Sequence, residues 1–179
     1  MILFKAAVAA STIGLAVWGS ALAQTEVPKA IAPPSFSVTA SALATWSGTW
    51  KEGAGTVSTK SSMLKDVPYS FASRFEGAPG ASPEELLAAA LVGCFNQALV
   101  NNVGMNKLVA QSVESSADVE FGYDENGRPV IKALHVTVDA KVPGGSEELF
   151  QQSAKRASTN CTIARALKVE VGLTARLIP

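Results

Sequence analysis

The most constraining feature of this chain is a long apolar stretch that opens on a helix-start signal. Ser82-Pro83-Glu84-Glu85 puts a hydroxyl at the N-cap, a proline at the first helical position and a glutamate at the capping-box position. From 86 to about 103 the residues are apolar and rich in alanine, which predicts a helix buried in the interior. Other layers must cover it. Residues 113–123, the turn Asp124-Glu125-Asn126-Gly127 and residues 130–142 read as a β-hairpin. On its second strand Val130, Leu134, Val136, Val138, Ala140 and Val142 share one face, and His135, Thr137, Asp139 and Lys141 share the other. A second helix is expected over 146–157 and a short one after Asn160. A last strand follows, with Val169, Val171, Leu173, Ala175 and Leu177 alternating. Upstream, 43–50 and 55–60 read as strands broken at Lys51-Glu52-Gly53, and 68–75 reads as extended. Strands, central helices and more strands define an α+β chain.

Several function classes are disfavoured at once. Fifteen basic and fifteen acidic residues cancel, so the basic surplus of a nucleic-acid binder is missing. Two cysteines and one histidine do not make a four-ligand Cys/His zinc site. His135 is the only histidine available to a Ser-His-Asp triad, and it reads as a solvent-facing strand residue. No metal or organic cofactor is expected.

The N-terminus reads as a targeting segment. Lys5 is followed by a charge-free apolar run and then by Ala21-Leu22-Ala23, the charged, apolar, small-x-small order of a secretory signal peptide. Cleavage after Ala23 leaves 156 residues of net charge −1. The alternative is an uncleaved anchor, since the run is just long enough to span a bilayer. Residues 1–23 are assigned to the signal peptide, 24–41 to a linker containing Pro28, Pro33 and Pro34, and 42–179 to one domain. The mature chain is expected outside the cytoplasm, with the periplasm as its compartment and no stable membrane span after cleavage.

The two sulfurs are the remaining chemistry. Cys94 lies within the apolar helix, where a cysteine is commonly a small core residue. Cys161, in Asn160-Cys161-Thr162, falls where a loop enters a helix, and a helix N-terminus lowers a thiol's pKa. In an exported chain two cysteines also suit one structural disulfide. Composition and spacing leave structural pairing and redox catalysis equally open.

Longer motifs add to this reading. Gly55-Thr56-Val57-Ser58-Thr59-Lys60, Pro68-Tyr69-Ser70-Phe71, Ser73-Arg74-Phe75-Glu76-Gly77 and the run from Ser82 through Gly93-Cys94-Phe95 resemble the OsmC/Ohr family, in its osmotically inducible OsmC branch. The resemblance runs from about Ala42 to Leu177. It implies an intertwined homodimer with curved antiparallel sheets around central helices. It also implies a thiol peroxidase that reduces organic hydroperoxides, and hydrogen peroxide less well, in oxidative and osmotic stress defence. By the same resemblance Cys94 is the peroxidatic cysteine and Cys161 the resolving one. Arg74 activates the peroxidatic thiolate, and Glu84 positions Arg74.

The implied chemistry is consistent with the residue types. A thiolate attacks the O–O bond, and a second thiol condenses with the resulting sulfenic acid. Arginine stays charged and can bond both sulfur and peroxide oxygen. The partners implied are a small hydroperoxide, a second copy of the chain and an unidentified dithiol reductant. Ten residues separate Glu84 from Cys94, about 15 Å along one helix, so the site is expected to span two subunits.

The chain departs from the family's Gly-Cys-Pro-x-Ser around the second cysteine. It has Asn160-Cys161-Thr162-Ile163-Ala164, with Asn160 as the expected alternative cap. A rival reading is a non-enzymatic protein of the same fold, binding an apolar ligand or sensing redox state, with a structural disulfide.

Overall fold

A computed structural model describes residues 37–179. The expected signal peptide and most of the expected linker lie outside the described residues. The N-terminal layer is an antiparallel sheet of β1 (Ala42–Ala44), β2 (Ala54–Thr59) and β3 (Val67–Ser70), followed by a single helical turn, α1 (Phe71–Phe75). Then come the long helix α2 (Pro83–Met105), β4 (Ser112–Tyr123), β5 (Pro129–Lys141), α3 (Glu147–Asn160), α4 (Thr162–Ala166) and β6 (Val171–Leu177).

The α2 start forms with half of the expected capping box: Ser82 Oγ accepts from the Glu85 N–H at 3.1 Å, with Pro83 in the first turn, but the Glu85 carboxylate does not bond back to the Ser82 N–H. Along α2, Leu91, Phe95, Leu99 and Val103 recur every four residues and make one fully buried stripe. They pack with Leu134, Val136, Val138 and Ala140 of β5 and with Phe150, Ala154 and Ala157 of α3. Among the described residues α2 is long and apolar enough to cross a membrane, but this stripe makes it a core helix. The α3 helix buries Phe150, Ser153, Ala154, Ala157 and Ser158, the spacing of a one-faced amphipathic helix.

Three expectations need correction. The 68–75 segment is extended only to Ser70. It then turns into α1, because Ser70 and Ser73 form a reciprocal capping box. The expected 43–50 strand shrinks to β1 plus one bridge between Ser47 and Ala54, since the chain turns at Trp50–Glu52. On β5 the register shifts opposite Glu120 and Phe121, so Lys132 is an extra residue. Beyond it the alternation changes phase, and Ile131 rather than Val130 packs on the core.

The second sheet is mixed. β4 and β5 pair antiparallel, whereas β6 joins β5 in parallel, with Val136 opposite Leu173. The connection from β5 to β6 passes through α3 and α4, the helical crossover a parallel neighbour requires. His135 lies on the sheet face away from the core, with Nε2 2.9 Å from Thr174 Oγ1.

The two layers differ sharply in burial. Between residues 37 and 80 only Gly53 is buried, so the N-terminal sheet contributes no side chain to the core.

Candidate active site

The four site residues fall into two clusters. Cys94 projects from the middle of α2, partly buried against the core beside Leu91 and Phe95. Cys161 is 3% exposed and ends α3 while capping α4: its sulfur accepts the Ala164 N–H at 3.3 Å. Asn160, the expected cap, is instead the last residue of α3. Because α2 packs on both α3 and α4, the two thiols come close enough to act on each other although 67 positions separate them. Both cysteines carry free thiols.

Burial pushes the Cys161 thiol above its ordinary value; the Ala164 N–H opposes this, and the adjoining Cys94 raises it further. This corrects the expectation that a helix N-terminus would lower it. A five-residue helix offers little dipole, and desolvation wins. Cys161 is therefore a protonated thiol at neutral pH.

Arg74 and Glu84 form the other cluster. Arg74 Nε and Nη2 donate to the two Glu84 carboxylate oxygens at 3.2 and 2.6 Å. Arg74 belongs to helical α1 and not to a strand. The Ser73 hydroxyl donates to the Ala81 carbonyl at 3.0 Å, and Tyr69 bridges Ala81, so α1 is folded back on the first turn of α2. The side chains of the pair are 33% and 14% exposed, so the contact is partly solvated.

Aromatic residues that the sequence reading did not single out surround this clamp. A cavity of about 330 Å3 is lined by Trp46, Trp50, Tyr69, Phe71 and Phe75 together with Arg74. Trp50 meets Phe71 edge-on at 4.9 Å, and Phe71 and Phe75 lie 4.7 Å apart. The i, i+4 spacing of these phenylalanines, with Ser70 and Ser73, was the available signal for α1.

The structure brings Cys94 to Cys161 and Arg74 to Glu84. Within one chain α2 runs unbroken from Glu84 to Cys94, an axial rise of about 15 Å, and both Arg74 hydrogen bonds go to Glu84 rather than to sulfur.

A neighbouring thiol pair on packed helices, with an aromatic-lined arginine–glutamate clamp on a two-sheet α+β frame, defines a two-cysteine thiol protein. The chain belongs to the OsmC family: the profile described as OsmC-like protein matches residues 75–175. It is similar to Peroxiredoxin OsmC of Escherichia coli, with 36% identity over 132 residues that cover 74% of this chain and 92% of the relative. Among solved structures it resembles an OsmC-like protein of unknown function from Vibrio cholerae (TM-score 0.63, 18% identity, 78% of this chain and 99% of that one). It also resembles an organic hydroperoxide resistance protein from Elizabethkingia anophelis (TM-score 0.58, 26% identity, 80% and 100%).

Proposed function

We propose that the protein is a cysteine-based peroxidase that reduces organic hydroperoxides and works as a homodimer. The closeness of Cys94 and Cys161, where α2 packs on α3 and α4, carries this reading. The names of the Escherichia coli relative and the Elizabethkingia anophelis neighbour support the reaction class.

The chemistry balances with the groups present. The Cys94 thiolate attacks one oxygen of ROOH; the O–O bond breaks, the alcohol leaves with a proton, and Cys94 becomes a sulfenic acid. The Cys161 sulfur, as thiolate, then attacks the Cys94 sulfur. Water leaves and a disulfide forms. An external dithiol restores both thiols and is itself oxidised to a disulfide. Cys94 is the nucleophile because it is the more accessible sulfur, whereas buried Cys161 reaches only its neighbour. Arg74 supplies the cation that favours a thiolate and binds peroxide oxygen, and Glu84 fixes its orientation.

Two observations support a second copy of the chain. A three-stranded sheet with no buried side chain of its own needs an apolar cover. The helix α2 also has apolar residues off its buried stripe, and Ala89, Ala90, Val100 and Met105 among them are exposed. A second copy covers both surfaces and brings an Arg74–Glu84 clamp to a Cys94 that its own chain's clamp does not hydrogen-bond. The order of charges and small residues before Gln24 supports export. An N-terminal Gln24 on the purified protein agrees with that, and Met1 contradicts it.

Peptide mapping tests the reaction. After one equivalent of organic hydroperoxide, the reading requires a Cys94–Cys161 disulfide within one chain and a trapped Cys94 sulfenic acid in Cys161→Ser. The aromatic cavity also suits the rival, binding of an apolar ligand without turnover. A resting disulfide that resists mild dithiols favours that rival.

A further inference from the structure

We infer that Phe121 is a positioning residue for Arg74, holding the guanidinium plane so that its unused edge faces the reacting oxygen and sulfur. The inference rests on the reading of Arg74 as the cation at the reacting thiol. The Arg74 guanidinium carbon lies 4.8 Å from the Phe121 ring centroid and 5.1 Å from that of Phe75, within the range of cation–π attraction. Phe121 and Phe75 also contact each other at 5.8 Å.

Phe75 follows Arg74 in the chain and moves with it. Phe121 does not: it is on β4, in the second sheet, and gives the guanidinium a reference point outside the coreless N-terminal layer. Glu84 occupies two of the five N–H donors, those of the Nε–Nη2 edge. Two aromatic contacts and one bidentate carboxylate leave the Nη1 edge as the one available to a ligand.

The sheet is shaped at this point. The register shift falls between Glu120 and Phe121, and bulges re-aim side chains beside sites. The extra residue, Lys132, folds its side chain over Gly122, where an added Cβ would sit 2.7 Å from Lys132 Cε. Alternation along β4 puts Phe121 on the same face as Val113, Ala117 and Val119, while Lys132 of the neighbouring strand lies over the Gly122 backbone.

Rate constants for organic hydroperoxide should be measured for Phe121→Leu, Phe121→Tyr, Arg74→Met and the double variant Arg74→Met/Phe121→Leu. Phe121→Leu keeps apolar bulk but loses the ring face, and should slow the reaction about three- to thirtyfold. Phe121→Tyr keeps the face and should retain the rate. In the Arg74→Met background Phe121→Leu should add nothing, because the effect passes through Arg74. An unchanged rate in Phe121→Leu, an equal loss in Phe121→Tyr, or additive losses in the double variant would overturn the inference. If Arg74→Met alone leaves the rate intact, the underlying reading of Arg74 fails instead.

Discussion

Arg74 and Glu84, ten positions apart, close a two-point hydrogen-bonded pair that fastens the single-turn helix α1 to the first turn of α2. Both donors come from one edge of the guanidinium, so the carboxylate sets its plane as well as balancing its charge. Replacing Glu84 by alanine should leave Arg74 free to turn and slow peroxide reduction on the order of ten- to a hundredfold, the scale of a small misplacement at a reacting centre. Because the pair is partly solvated, stability should fall by only about 1 kcal/mol, read from chemical denaturation. A full-rate Glu84→Ala enzyme would show that the clamp is structural.

The raised Cys161 thiol sets the pH behaviour of the second step. At neutral pH it is protonated and a poor nucleophile, so the Cys94 sulfenic acid should persist long enough to be trapped by a sulfenic-acid reagent. Disulfide formation should quicken about tenfold per pH unit and still be rising at pH 9. A pH-independent rate between 6 and 9 would contradict this.

The same shift links to folding. A thiol whose folded pKa lies above its unfolded value holds its proton more tightly when folded. The reduced protein should therefore lose stability as pH rises through the ordinary thiol range, from about 8.5 upward. Cys161→Ser should lack that slope. Equal slopes in the two proteins, measured by urea denaturation from pH 7 to 10, would assign the pH dependence to other groups.

The exposed face of α2 predicts the assembly. Val100 is 44% exposed on a helix that also carries a fully buried stripe. The unaltered protein should sediment as a dimer, and Val100→Glu, which puts a charge into an apolar contact, should shift it toward monomer and lower peroxidase activity with it. A variant that remains dimeric would place the subunit contact elsewhere.

The fold was legible wherever the signal was local. Ser82 and Pro83 announce α2, the Asp124–Gly127 turn announces the hairpin, and alternation from Leu134 to Val142 marks the core face of β5. The signal ended at Lys132, where an inserted residue changes the phase without altering composition. It also ended at α1, because a five-residue helix shows no repeat and its cap pairs two serines where a glutamate or glutamine is usual at N3. The parallel pairing of β6 is a tertiary choice, absent from the strand's own pattern. Of the candidate site, Cys94 and Cys161 could be singled out as sulfur, but their meeting depends on how α2 packs against α3 and α4. The aromatic cluster around Arg74 draws on residues from 46 to 121, too dispersed to form a motif.

Stoichiometry tests the central proposal most directly. The mature protein, reduced and freed of excess dithiol, is mixed with one equivalent of an aromatic organic hydroperoxide while peroxide and free thiols are followed together, beside Cys94→Ser. The expected result is rapid loss of one peroxide and one thiol per chain, then slower loss of a second thiol as the disulfide closes, with neither loss in the variant. Peroxide that persists at the rate set by a simple thiol in buffer would contradict it, leaving the paired cysteines to a structural or sensing role.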